Sequence, residues 1–278
     1  MRKIGTAKYL INSLLLPALL AGFIFCCGFM HTVSEGEKFE VELLSSFTTY
    51  FDGGNEARSH NIRLAASMID GTVIDSGEVF SFNERVGKRT PERGFKRAAI
   101  IENGEFVEGI GGGVCQVSTT LYNAALLAGC RAVEYHPHSL AVSYVPPSRD
   151  AMVSGTFYDL KLENATKSTI YLKAVTGANF VCFKVYGRNF GVKYSLNSLV
   201  TGSIEAPEEF TDDIALVRGG RDGIISEGYL TVTKNGASRK IFLRRDKYSP
   251  IKKISLKTDE EIPPTPQEIQ ENNLPEDL

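Results

Sequence analysis

The sequence predicts an α+β fold, mainly antiparallel β, built round one central helix that a glycine-rich turn caps, with a single N-terminal transmembrane anchor. Three observations carry the prediction. Arg2, Lys3 and Lys8 precede an apolar run from Tyr9 to Met30, about 20 residues and so long enough to cross a hydrocarbon core. Gly109-Ile110-Gly111-Gly112-Gly113 leads into Val114, Val117, Leu121 and Ala125 at helical spacing. Beyond the helix the chain is rich in segments that alternate apolar with polar, as half-buried antiparallel strands do.

The basic flank orients the anchor with its N-terminus inside, which places everything after residue 32 outside the cytoplasm. A cleaved signal peptide is the rival, but bulky Phe23, Ile24, Phe25 and Phe29 without a small-x-small site favour an anchor. Cys26 lacks the small residue that a lipoprotein signal places before its cysteine, so no lipidation is expected. Ser45 to Phe51 reads as a strand and Asp52-Gly53-Gly54-Asn55 as a loop. Asn61 to Ile69 sets Ile62, Ala65, Ala66 and Ile69 on one helical face, with Gly71 as its stop. Val73 to Asn83 reads as strand, turn, strand. A hairpin follows around Asn103-Gly104, the turn pair that best fits a tight connection.

The central helix ends at Gly129. Ala132 to Ser139 and Val142 to Pro146 are expected to be extended, because each proline pushes its predecessor out of the α region. Arg149 to Val153, Phe157 to Leu162, Thr169 to Val175 and Phe180 to Tyr186 read as strands. A composition shift at Glu205 to Glu209 suggests a boundary, beyond which an Asn235-Gly236 hairpin marks a small β appendage. From Thr258 on, the acidic, proline-rich composition reads as disorder. The expected organisation is an anchor over 1–32, a main domain over 33–200, the appendage over 201–258 and a disordered acidic tail over 259–278.

Composition narrows the function. A net charge of −2 with no basic stripe excludes nucleic acid as an expected partner. Cys26 and Cys27 lie in the apolar run, whereas Cys115, Cys130 and Cys182 are widely spaced, with no CxxC pair and no zinc pattern. Neither a metal nor a cofactor is expected. An extracytoplasmic setting permits a Cys130–Cys182 bridge, but the spacing does not require one.

Cys115 falls in the first turn of the central helix, where unpaired N–H groups and the macrodipole favour a thiolate. The same position suits a buried structural cysteine. His138 is the candidate base, with Asp150 or Asp159 to orient it. Gln116 and the Cys115 N–H are candidates for an oxyanion hole. Candidates for substrate binding are Gly111, Gly112, Gly113, Ser118, Thr119, Thr120, Tyr122, His136 and Tyr144. Against them stands a packing role: glycines serve close backbone approach, hydroxyls bond locally and aromatics fill cores. Arg93, Lys96 and Arg97 suit either a carboxylate or a solvated face.

Ser81-Phe82-Asn83, the run from Gly111 to Ala124, His136-Pro137-His138-Ser139, Tyr144-Val145-Pro146, Arg149-Asp150-Ala151 and Asp159-Leu160 occur in an order that resembles the VanW-like family, over residues 60 to 176. Gly219 to Thr258, including Asp246-Lys247-Tyr248-Ser249-Pro250, resembles the Gly-rich β tail often attached to it. The resemblance implies an envelope protein of a Gram-positive bacterium. The family is named for its association with some glycopeptide-resistance clusters and often carries peptidoglycan-binding modules.

Three readings follow. The first is a membrane-anchored, extracytoplasmic Cys-dependent acyl transferase or hydrolase acting on peptidoglycan stem peptides, with Cys115, His138 and Asp150 or Asp159 in the roles above. The second is a noncatalytic module that binds peptidoglycan, with Cys115 buried. The third is an envelope scaffold working through the appendage, whose removal at 205–278 would spare the site. Expected partners are peptidoglycan or its peptides, and a membrane through one N-terminal helix.

Overall fold

The computed structural model describes residues 40–257 except 103 and 156; the expected anchor over 1–32 and tail over 259–278 lie outside the described residues. Strand β1 (Glu42–Tyr50) leads into helix α1 (Glu56–Ile69), which begins five residues before the expected Asn61. The cause is local: the Asn55 side chain accepts the Arg58 N–H at 3.0 Å, so the end of the polar loop serves as an N-cap. Strands β2 (Val73–Ile74) and β3 (Val79–Ser81) follow. Ser81 then starts the short helix α2 (Phe82–Val86) where continued strand was expected, because its hydroxyl accepts the Glu84 N–H at 3.1 Å.

Strands β4 (Arg97–Glu102) and β5 (Glu105–Ile110) form the expected hairpin, with Gly104 at φ 81° and its predecessor Asn103 outside the described residues. Helix α3 (Val114–Leu127) stops where Gly129 takes φ 93°, and strand β6 (Arg131–Glu134) follows. The strands expected at 149–153 and 157–162 do not form. From Tyr135 to Leu160 the described chain is loop, touching strand geometry only at the isolated bridges His136–Met152 and Ser154–Tyr158. Its backbone partners come instead from helix side chains, described below.

The remaining strands are β7 (Lys161–Glu163), β8 (Ile170–Thr176), β9 (Phe180–Gly187) and β10 (Val192–Ile204), then β11 (Glu208–Thr211), β12 (Gly223–Lys234), β13 (Ala237–Tyr248) and β14 (Lys253–Leu256). One antiparallel sheet has the order β1-β9-β8-β2. A second, β10-β12-β13, is closed by the Asn235-Gly236 turn, whose φ values of 52° and 79° are both left-handed, as a tight hairpin requires. Strands β3-β7-β6 form a third sheet, and β11 pairs with β14 in parallel.

Helix α3 lies in the core, against β1 and β9 of the first sheet, with α1, β6 and β10 around it. Val117, Leu121 and Ala124 are fully buried, facing a cluster that includes Ile62, Ile69, Phe183 and Val185. Each such aliphatic side chain is worth about 1.5–3 kcal/mol relative to exposure. Ala124 lets β1 come close enough for the Ser45 hydroxyl to donate to its carbonyl at 2.6 Å.

The boundary expected at residue 200 falls inside β10, and the described residues belong to one compact unit that begins at Phe39. The inward side of β10 packs on α3, so the second sheet is joined to the core rather than appended to it.

Candidate functional site

The glycine turn fixes where α3 begins. Gly111 and Gly113 hold φ values of 86° and 104°, which L side chains rarely adopt. Gly112 is needed for space: a Cβ there would stand 2.6 Å from the Ala99 carbonyl oxygen. Asn61 on α1 seals the turn, donating to the carbonyls of Gly112 (3.0 Å) and Lys96 (2.9 Å) while accepting the Lys96 N–H at 2.8 Å. Cys115 is thereby the second residue of α3, and its N–H is one of those a helix leaves without a carbonyl partner.

The Cys115 thiol donates to the Val153 carbonyl at 3.3 Å and has the His138 ring as its other partner. His138 Nδ1 and the His138 backbone N–H both donate to Asp150 Oδ2 at 2.7 Å. With Nδ1 occupied, Nε2 is the ring nitrogen left for the sulfur. His138 and Asp150 are both buried, whereas Cys115 keeps partial exposure.

Two sets of groups hold Asp150. The first is the polar face of α3, which substitutes for a neighbouring strand. Ser118 Oγ donates to the Ala151 carbonyl at 2.6 Å, Thr119 Oγ1 accepts the Ala151 N–H at 2.9 Å, and Asn123 Nδ2 donates to the Arg149 carbonyl at 2.8 Å. The second comes from β13. Tyr248 donates its hydroxyl to Asp150 Oδ1 at 2.5 Å, and Arg244 Nη1 donates to the Asp150 carbonyl at 2.6 Å. Arg244 is itself held by Asp246, whose Oδ2 lies 2.6 Å from Nε.

The electrostatics follow from these partners. Burial opposes ionisation of Asp150, but hydrogen bonds from His138 and Tyr248 and the charge of Arg244 hold its carboxyl below the ordinary value. Burial likewise disfavours a charged His138, yet Asp150 and Cys115 push its pKa up to about 9. For Cys115, burial raises the pKa, and His138 with the more distant Arg89 brings it below the ordinary thiol value. The arrangement favours a thiolate beside an imidazolium. Tyr144 lies next to them. Burial and the negative charges of Cys115 and Asp150 keep its phenol protonated, hydrogen-bonded to Thr119.

Of the candidates read from the sequence, Cys115, His138, Asp150 and Tyr144 come together. Asp159 does not. Its carboxylate accepts Ser81 Oγ (2.6 Å) and the N–H groups of Asn83 and Leu160 (both 2.8 Å), tying α2 to the loop. It lines a groove of about 520 Å³ with Glu134, Gly155, Phe157 and Lys161. His136 turns to Glu134 at 3.1 Å and to the Tyr158 ring, not to the thiol.

Gln116 is buried with its amide fully engaged, accepting from Arg58 Nη2 at 2.6 Å and donating to Thr49 Oγ1 (3.0 Å) and the Tyr50 carbonyl (2.9 Å). Ser118, Thr119, Thr120 and Tyr122 are buried too. Their polar atoms bond within the fold, because a helix surrounded on all sides has no solvent face to offer. Of the three glycines, Gly112 is pressed against β4, Gly113 against α1 and Gly111 against the Arg89 stem. Arg93 and Arg97 donate to the carbonyls of Lys88 and Glu108, and Arg93 bears on the site only at a distance. Among the described residues no group of three His, Cys, Asp or Glu side chains is placed to hold a metal ion, and Cys130 and Cys182 are free thiols.

Arg58, Arg89 and Arg244 were not singled out by sequence reasoning, and Tyr248 was quoted only within the motif of the β tail, with no role at the site. A signal existed for the β13 pair: Arg244, Asp246 and Tyr248 recur at period two, the inward face of a strand.

Comparison with known proteins finds a family match over part of the chain. Residues 57–186 match the family model described as VanW like protein. The chain is 40% identical over 174 residues to the uncharacterized protein YoaR of Bacillus subtilis (strain 168), covering 63% of this chain and 56% of that one. It is 28% identical over 161 residues to the vancomycin B-type resistance protein VanW of Enterococcus faecalis (strain ATCC 700802 / V583), covering 55% and 57% of the two chains. The chain thus spans little more than half the length of these relatives. No solved structure matches it. Residues 57–186, which hold Cys115, His138 and Asp150, belong to the VanW-like family.

Proposed function

We propose that this protein is a thiol-dependent acyl transferase or hydrolase that acts on amide bonds of peptidoglycan stem peptides. In this reading it works outside the cytoplasm, held to the membrane by the apolar segment that begins at Tyr9. The observation that carries the reading is the chain of contacts from Cys115 through His138 to Asp150, with the thiol biased toward thiolate. The resistance named for the Enterococcus relative supports the cell wall as the setting.

The thiolate attacks the amide carbonyl carbon, forming a C–S bond. As the C–N bond breaks, the imidazolium of His138 gives its proton to the departing amine, leaving a thioester. Water or an acceptor amine then attacks the thioester, passes a proton back to His138 and releases Cys115 as thiolate. Asp150 keeps Nδ1 protonated and the ring aimed. The Cys115 N–H faces the developing oxyanion, and the protonated Tyr144 hydroxyl is a second donor close by.

The test is the pH dependence of Cys115 alkylation in the full chain. A thiol that reacts well below its unperturbed pKa of about 8.5, and no longer does so in His138→Ala, supports the nucleophile. Release of an amine from peptidoglycan fragments by the wild type but not by Cys115→Ala is the next requirement. A thiol that stays inert until the protein unfolds sinks this reading and favours a noncatalytic binding module.

A further inference from the structure

The glycine turn makes room for two arginines. A Cβ at Gly113 would stand 3.2 Å from Arg58 Cγ, and one at Gly111 would stand 3.1 Å from Arg89 Cβ. Each arginine stem therefore lies against the turn that delivers Cys115, one from α1 and one from the loop after α2. Single side-chain amides orient the guanidiniums. Arg58 Nη2 donates to Gln116 Oε1 at 2.6 Å, and Arg89 Nη2 donates to Asn83 Oδ1 at 2.7 Å, with its guanidinium over the Phe82 ring.

Both guanidiniums are partly buried, and among the described residues no carboxylate lies within ion-pair distance of either. The charged and titratable groups that act on them from further away are Cys115 and Tyr144 for Arg58, and Cys115, Asp159 and Arg93 for Arg89. Arg244 is paired with Asp246, Asp150 is taken by His138, and Asp159 is held by Ser81, so none of these carboxylates contacts Arg58 or Arg89 directly. A partly buried cation held only by a neutral amide is less well compensated than one paired with a carboxylate.

We propose that Arg58 and Arg89 form a carboxylate-binding pair beside Cys115, and that the substrate is a peptide processed at its last amide bond while its free C-terminal carboxylate rests on the two guanidiniums. This rests on the reading of Cys115 as nucleophile and adds the substrate class to it. In a peptide the terminal carboxylate is one Cα away from the scissile nitrogen, so an anion site flanking the attacking sulfur matches the last amide bond. The thiolate adds to the penultimate carbonyl, the C–N bond breaks, and the terminal amino acid leaves with a proton from His138. A planar, forked guanidinium suits a carboxylate better than a point charge does.

The experiment compares two alkylating agents of nearly the same size on the full chain, with modification of the Cys115 peptide followed by mass spectrometry. Iodoacetate carries a carboxylate and iodoacetamide does not, so their rate ratio cancels the thiolate fraction and reports the anion site. Arg58→Gln and Arg89→Gln should each lower the iodoacetate-to-iodoacetamide ratio about tenfold, as expected for loss of a charge-assisted hydrogen bond. Arg89→Lys should retain part of it.

An unchanged ratio in both glutamine variants overturns the proposal, and if iodoacetamide still modifies Cys115 at low pH the nucleophile reading survives alone. A wild-type thiol inert to both agents removes both. Should the variants not fold, protection of the wild type decides. N-acetyl-alanyl-alanine should slow iodoacetamide, whereas its C-terminal carboxamide should not. Equal protection by the carboxamide, or stronger protection by inorganic phosphate, overturns the carboxylate assignment.

Discussion

Tyr248 and Asp150 stand 98 residues apart in the chain, and the Tyr248 hydroxyl donates to the Asp150 carboxylate at 2.5 Å. Tyr248 lies outside the segment that matches the VanW-like family, and Asp150 lies inside it. The second sheet is thus part of the machinery that orients His138. Tyr248→Phe removes one donor from a buried carboxylate. A loss of about 1.5–3 kcal/mol in urea unfolding is expected, together with slower Cys115 alkylation at neutral pH. An unshifted urea midpoint would show that the bond contributes nothing. Removing residues 205–278 takes Arg244 and Tyr248 with it, so the thiol should lose its low-pH reactivity, contrary to the expectation that this region is dispensable for the site.

Two carboxylates competed in the sequence for one role, and their variants should separate cleanly. Asp150→Asn breaks a buried pair and should cost about 3–5 kcal/mol in stability while suppressing Cys115 reactivity at pH 7. Asp159→Asn weakens the hold on α2 at a cost of about 1 kcal/mol, and should alter Cys115 reactivity far less. Equal losses of reactivity in the two variants would contradict the geometry.

Asp150 also contributes to the acid limit of stability. Its folded pKa is depressed, so the unfolded chain binds its proton first as pH falls. The stabilisation is complete above the unfolded value of about 3.9 and disappears as pH drops through the lower folded value. Urea midpoints measured from pH 6 downward should therefore fall steeply for the wild type and less steeply for Asp150→Asn. Parallel curves would assign the acid limb to other groups.

Close backbone approach, one of the roles expected of the glycine run, is what constrains Gly112. Gly112→Ala places a Cβ 2.6 Å from the Ala99 carbonyl oxygen, which belongs to backbone and cannot rotate away. A loss of about 1–3 kcal/mol is expected from overpacking, read as a lowered melting temperature. Retention of wild-type stability would mean that β4 does not press on the turn as described.

Some of the site was legible because it depends on neighbours in the chain. Glycines before an apolar period place Cys115 in a helical first turn, and the Asn235-Gly236 pair specifies its hairpin, since both are local backbone properties. Local rules misled where a side chain outbid the periodicity. Asn55 and Ser81 start helices inside segments read as loop and strand. The loop from Tyr135 to Leu160 includes segments read as extended or strand, yet Ser118, Thr119 and Asn123 take up its backbone groups in place of a partner strand.

What the sequence by itself determined is a candidate nucleophile, its helix turn, two candidate acids and the family of residues 57–186. Tertiary structure alone decided which acid serves His138, that Gln116 is committed to Arg58 and β1, and that Arg58 and Arg89, each bonded to a side-chain amide rather than a carboxylate, lie against the turn that carries the thiol. The reason is distance along the chain. Helix starts and turns are set by residues within a few positions of one another, whereas a buried carboxylate is chosen by whichever cations and donors the packed sheets bring to it, and for Asp150 those come from β13, nearly a hundred residues away.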